Sequence, residues 1–130
     1  MKISEASEQS GLPVKTIRYY SDISLVEPSG RSNAGYRRYD EKSLQKLIFI
    51  RRAREFGFSI AECRELLGLY SNNARSSADV KKIASNRLED IRKKRDELQR
   101  LYDELSNLVQ NCRGDDRSDC PIISDLADIK

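Results

Sequence analysis

Three cysteines, at positions 63, 112 and 120, are the side chains of this sequence best suited to chemistry, and histidine is absent. Without His there is no Ser–His or Cys–His nucleophile pair and no His-containing zinc site. No other nucleophile–base pair is visible, so no enzymatic role is expected. Cys112 and Cys120 bracket Arg113-Gly114-Asp115-Asp116-Arg117-Ser118-Asp119. Gly and Asp favour tight turning, which would bring the two sulfurs together. Pro121 suits the start of a short final helix. Cys120 would then stand at a helix N-terminus, where a thiolate is favoured. Soft sulfur ligands select Cu(I), zinc and iron–sulfur centres. Zinc normally takes four ligands, which the loop aspartates would complete poorly, and an iron–sulfur cluster needs more thiolates. One monovalent soft ion held by two sulfurs is the economical reading. A pair of unliganded loop thiols is the alternative that the spacing leaves open. Cys63 sits among Ile60, Leu66 and Leu67 and reads as a small buried apolar residue.

A second group of residues could bind rather than react. Arg31, Arg37, Arg38, Lys42, Lys46, Arg51, Arg52 and Arg54 face only Asp40 and Glu41 between positions 31 and 54. Such a local excess is a candidate phosphate-binding surface. It is equally a solvated helix face, and charge does not decide between them. The excess belongs to the first half: residues 1–70 carry net +3 and residues 71–130 are neutral.

The elements that must position these groups follow from caps and periodicity. Ser4 is a candidate cap for a helix over about 5–10, Gly11-Leu12 a turn, and Pro13 the start of a helix to about 22. Two short helices across a Gly-containing turn make a helix-turn-helix. Its second helix enters the DNA major groove N-terminal residues first. Lys15, Thr16, Arg18 and Tyr19 lie there, and Arg18 is the sharpest candidate for reading guanine. Leu25 to Tyr39, with turn residues between Ser29 and Gly35, reads as a hairpin wing whose Tyr and Arg could bond the sugar-phosphate backbone. Asp40 caps a third helix over about 41–56, and Ser59-Ile60-Ala61-Glu62 opens a fourth to about Tyr70.

With 35% charged and 38% hydrophobic residues, the 130-residue chain is apolar-poor, which a long solvated or partner-seeking helix explains. Residues 79–111 contain neither Gly nor Pro, and Ala84, Ile91, Leu98 and Leu105 recur every seven residues. Such a heptad seam predicts a coiled coil between two copies. A helix folded back on its own domain is the alternative. The expected organisation is mainly α: a winged helix-turn-helix domain over 1–70, a linker over 71–78, a dimerisation helix over 79–111, and a metal-binding loop with a short helix over 112–130. No apolar run reaches the ~20 residues of a membrane span, and Met1-Lys2-Ile3-Ser4-Glu5 lacks a signal peptide's apolar core. A cytoplasmic location, without membrane partners, is expected.

Thr16-Ile17-Arg18-Tyr19-Tyr20, Leu25-Val26, Arg31-Ser32 and Gly35-Tyr36-Arg37-Arg38-Tyr39 resemble the MerR family of transcription regulators. Phe56-Gly57-Phe58-Ser59 and the long helix continue the match over essentially the whole chain. The Cys112–Cys120 loop, with Asp119-Cys120-Pro121-Ile122-Ile123 and Ser76-Ser77-Ala78-Asp79-Val80, resembles the family's copper-efflux branch. The resemblance implies a homodimer of winged-helix domains joined by an antiparallel coiled coil. It implies a regulator that distorts promoter DNA when its effector is bound, so that RNA polymerase can use the promoter. In the copper branch, two loop cysteines hold Cu(I), Ag(I) or Au(I) linearly, beneath the start of the partner's long helix. Relatives that sense divalent ions place a third Cys there, and the matching residue here is Ser77. By the same resemblance, Lys15, Arg18 and Tyr20 fall on recognition-helix positions, and Tyr36, Arg37 and Arg54 on backbone-contacting ones. Core packing is an equal reading for Tyr20. Ser21-Asp22-Ile23-Ser24 departs from the family pattern, which is usually acidic and ends in Gly. Two rival functions are a regulator signalled by a Cys112–Cys120 disulfide, and a coiled-coil adaptor or metal carrier that binds no DNA.

Overall fold

The computed structural model describes residues 1–128; positions 129 and 130 of the expected C-terminal segment lie outside the described residues. The element order is α1 (Ile3–Ser10), α2 (Val14–Asp22), β1 (Gly30–Arg31), β2 (Arg37–Arg38), α3 (Glu41–Glu55), α4 (Ile60–Tyr70), α5 (Ser77–Asn111) and α6 (Pro121–Leu126). Two compact units divide the chain, Met1–Arg87 and Leu88–Lys130.

In the first unit, α1 and α2 form the helix-turn-helix. Gly11 turns the chain at φ 78°, and its N–H returns to the Ser7 carbonyl. Ile17, Leu47 and Ile50 are fully buried at the centre of the core. Burial of each such side chain contributes about 1.5–3 kcal/mol. Cys63 is also fully buried, as its neighbours predict. Asp40 caps α3 by accepting the Ser43 N–H at 2.9 Å, and Ser59 and Glu62 form a reciprocal capping box on α4.

The wing is smaller than the sequence pattern suggests. β1 and β2 pair antiparallel, Gly30 with Arg38 and Arg31 with Arg37, around a turn at Gly35 (φ 85°). Leu25 and Val26 are buried in the core instead of extending the hairpin. The chain start supplies a further rung: Lys2 bridges to Arg38, and the Tyr39 N–H donates to the Met1 carbonyl at 2.8 Å. That pairing also sets the first helix. Lys2, not Ser4, is the residue before it, and α1 begins at Ile3. Pro13 precedes α2 in an extended conformation and does not occupy its first turn.

The long helix starts at Ser77, earlier than position 79, because the Ser76 hydroxyl accepts the Ala78 N–H at 3.1 Å. Its opening turns belong to the first unit. Val80 and Ile83 pack on the core, and the Arg87 Nε donates to the Phe56 carbonyl at 2.7 Å. The same guanidinium covers Gly57 (φ 83°), where a Cβ would lie 2.3 Å from an Arg87 nitrogen.

In the second unit α5 continues to Asn111, and no residue of the helix is buried. Leu98, Leu101, Tyr102, Leu105 and Val109 are exposed apolar side chains on it. Arg92 pairs with Glu89 and Asp96, and Arg100 with Glu97 and Glu104. Such exposed i,i+3 and i,i+4 pairs are screened by solvent and contribute little; they favour the helix but do not cover its apolar seam. α6 follows the cysteine loop and is likewise without buried residues. Among the described residues no helix is long and apolar enough to cross a membrane.

Candidate nucleic-acid interface and metal centre

Helix α2 presents Lys15 and Arg18 to solvent. Beside it lies a cleft of about 500 Å³, lined by Lys2, Arg18, Arg31, Tyr36, Arg37 and Arg38 among others. A second cleft of about 400 Å³ is lined by Lys15, Thr16, Tyr19, Tyr20, Arg54 and Ile60. The basic stretch is therefore not one helix face. Tertiary folding gathers part of it, with residues from the chain start and α2, into concave cationic surfaces that suit a phosphate backbone. Lys2 has no signal in the sequence; its bridge to Arg38 brings it there.

The predicted contacts differ in how they are held. Tyr36 is 73% exposed near the wing turn. Arg37 is half-buried, and its Nη2 donates to the Asp22 carboxylate at 2.9 Å, tying the wing to the end of α2. Arg54 donates from Nη1 to the Phe58 carbonyl at 2.7 Å. Tyr20 is 4% exposed, so its ring belongs to the core. Burial pushes its hydroxyl above the ordinary phenol range, against the pull of the Arg54 charge. Tyr39 is fully buried, with its hydroxyl 2.9 Å from the Ser21 Oγ.

The loop after α5 brings together the two cysteines that its turn residues predicted. Cys112 Sγ and Cys120 Sγ are 3.4 Å apart and half-buried. Gly114 is left-handed (φ 65°), and the Asp115 carboxylate accepts the Arg117 N–H at 3.0 Å, so the loop folds back on itself. Cys120 is the residue before α6. The Ile123 backbone N–H, then the Cys112 thiol and the Ile122 N–H, hold its thiol below the ordinary range by bonding the thiolate. Cys63 belongs to the other unit, and burial pushes its thiol up. Among the described residues no group of three or more Cys, His, Asp or Glu could share a metal ion. Two thiols so placed are soft donors that could hold a soft metal ion. Ser77 is the exposed first residue of α5.

Two family models match the chain. The model described as "MerR HTH family regulatory protein" matches residues 1–69, and "MerR, DNA binding" matches residues 44–108. The chain is 52% identical to the HTH-type transcriptional regulator HmrR of Rhizobium leguminosarum bv. viciae, over 98% of each protein. It is 43% identical to the HTH-type transcriptional regulator CueR of Salmonella typhimurium, over 98% of this chain and 92% of that one. Among solved structures it resembles the transcription regulator PbrR691 from Ralstonia metallidurans in complex with lead(II). The TM-score is 0.77 and the identity 32%, over 97% of this chain and 98% of that one.

Proposed function

This chain belongs to the MerR family of helix-turn-helix regulatory proteins, and we propose that it is a Cu(I)-responsive transcriptional activator of copper-export promoters. The observation that carries the metal assignment is the isolated Cys112–Cys120 pair, with its sulfurs 3.4 Å apart. Cys112 and Cys120 would hold one soft monovalent ion, with Ag(I) or Au(I) as substitutes. Ser77 from a second copy would lie beside them and add no thiolate. Similarity to CueR and HmrR supports a heavy-metal signal.

The working assembly is a homodimer through residues 79–111, in which a second copy covers the exposed seam as an antiparallel coiled coil. Lys15, Arg18 and Tyr36 meet promoter DNA directly. Arg37 and Arg54 shape the backbone-facing clefts, and Tyr20 supports α2 from within. Residues 1–70 serve as the DNA-binding domain and 112–130 as the sensor, in the cytoplasm. Cys112 and Cys120 would hold the ion and so fix the loop, which would let α6 dock its exposed Ile123 and Leu126 on an apolar surface. The bias reaches the DNA as a deformation energy that makes the promoter usable by RNA polymerase.

An anaerobic Cu(I) titration of the reduced dimer against a competing chelator, with Zn(II) in parallel, tests the assignment. One Cu(I) per subunit, lost in Cys112→Ser and Cys120→Ser while DNA binding persists, is the expected result. Both variants should also lose metal-driven transcription. Tight Zn(II) binding without Cu(I) preference overturns the copper assignment. Full activation of metal-free protein by oxidation would replace it with a Cys112–Cys120 disulfide signal.

A further inference from the structure

Ser24 closes the recognition helix in a left-handed conformation, φ 57°. A Cβ disfavours that region, and glycine is the common residue at such a helix exit. Across from it stands Arg64 of α4. Its Nη1 donates to the Ser24 carbonyl at 3.0 Å and its Nη2 to the Ile23 carbonyl at 2.9 Å. Helix α4 is a firm base for this contact: its first turn is closed by the Ser59–Glu62 capping box, and it buries Cys63, Leu66 and Leu67. Immediately after the clamp, the Leu25 and Val26 N–H groups both return to the Tyr20 carbonyl, at 2.9 and 3.2 Å. The chain thus bends sharply into the core before running out to the wing. The Ile23 carbonyl lies at the negative end of the α2 dipole, and a planar guanidinium reaches it and the Ser24 carbonyl at once.

We propose that Arg64 is a positioning residue for DNA recognition: its two-pronged bond holds the Ile23–Ser24 exit in the bend that Ser24 resists, and so fixes how α2 presents Lys15 and Arg18. Where glycine would take the bend unaided, this chain uses a tertiary clamp from an element 40 residues on. The inference rests on DNA binding and not on the choice of metal.

The test uses the full reduced, metal-free protein and the variants Arg64→Ala, Arg64→Lys, Ser24→Gly and Ser24→Gly/Arg64→Ala. Amide exchange comes first, because it needs no DNA. In Arg64→Ala, exchange at Leu25 and Val26 should accelerate about tenfold while Leu47 and Ile50 are unchanged, a local opening of the exit. The double variant should recover most of that protection. Affinity comes second, for a duplex selected by the wild-type protein from a randomised pool, measured across a salt series. Arg64→Ala should bind about tenfold more weakly with an unchanged salt slope, since no phosphate contact is lost. Arg64→Lys should restore affinity only in small part, because an ammonium on a flexible stem lacks the rigid fork whose two nitrogens meet the two carbonyls. A slope reduced by about one would make Arg64 a direct phosphate contact and overturn the proposal. So would equal losses in the wild-type and Ser24→Gly backgrounds, or parallel acceleration at Leu47 and Ile50.

Discussion

In residues 1–87, arginines and lysines hang on a core whose centre, Ile17, Leu47 and Ile50, is closed to solvent. In residues 88–128 no helix residue is buried, and the thiols that meet across the loop are half-exposed. The side chains proposed to face DNA are already held by the fold: Arg37 on Asp22, Arg54 on the Phe58 carbonyl. The two thiols proposed as the sensor are brought near one another on a loop that buries little. In the proposed assembly a second chain would cover the apolar seam, and an ion would lie between the two thiols. A recognition surface gains from such preorganisation, whereas a switch needs a marginal element that a ligand can bias.

The contrast can be broken by substitutions that should act in one region alone. Ile50→Ala should have the largest effect, about 2–5 kcal/mol of stability lost from a site with no room to collapse. Thermal unfolding should show the loss together with failure of DNA binding, while Cu(I) uptake by Cys112 and Cys120 persists. Loss of Cu(I) uptake in step with unfolding would show that the regions are not independent.

Leu98→Asp comes next. Leu98 is 68% exposed in one chain, so a monomer should tolerate it. If a second copy covers the seam, two buried leucines are lost per dimer, and dissociation should rise at least about a hundredfold. Sedimentation over a concentration series reads this directly. An unchanged assembly would place the seam against something other than a copy of itself.

The smallest effect concerns acid. The Ser43 N–H holds the Asp40 carboxyl below its ordinary range, and the Ser59 N–H does the same for Glu62. A depressed carboxyl contributes stability above its unfolded pKa and loses it as pH falls through the folded one. The first region should therefore melt earlier as pH drops below about 4, and Asp40→Asn with Glu62→Gln should flatten that dependence. The exposed ion pairs of α5 should leave the second region's melting little changed by added salt.

Local chemistry was written plainly in the sequence. Caps, glycine turns and the seven-residue period depend on neighbours within a few positions. Asp40, the Ser59–Glu62 box and the uninterrupted run after Ser77 could therefore be read directly, to within about two residues. The meeting of Cys112 and Cys120 was legible for the same reason: a short loop with Gly114 and Asp115 must turn. Donor softness and count follow from residue type alone, which limits the ions the loop could hold.

Contacts between residues distant in the chain carry no such local mark. Lys2 reaching Arg38, Arg37 locked to Asp22, and Arg64 clamping Ser24 each join residues more than a dozen positions apart. The sequence marked Ser24 as a departure from the family's glycine, and the fold sets a guanidinium from α4 on its carbonyl. It also offered Tyr20 equally to the core and to DNA, and packing put the ring inside. Local periodicity selects elements because their hydrogen bonds close within a turn or two. Which side chains share a cleft depends on how those elements stack, and that is decided by burial of the whole core at once.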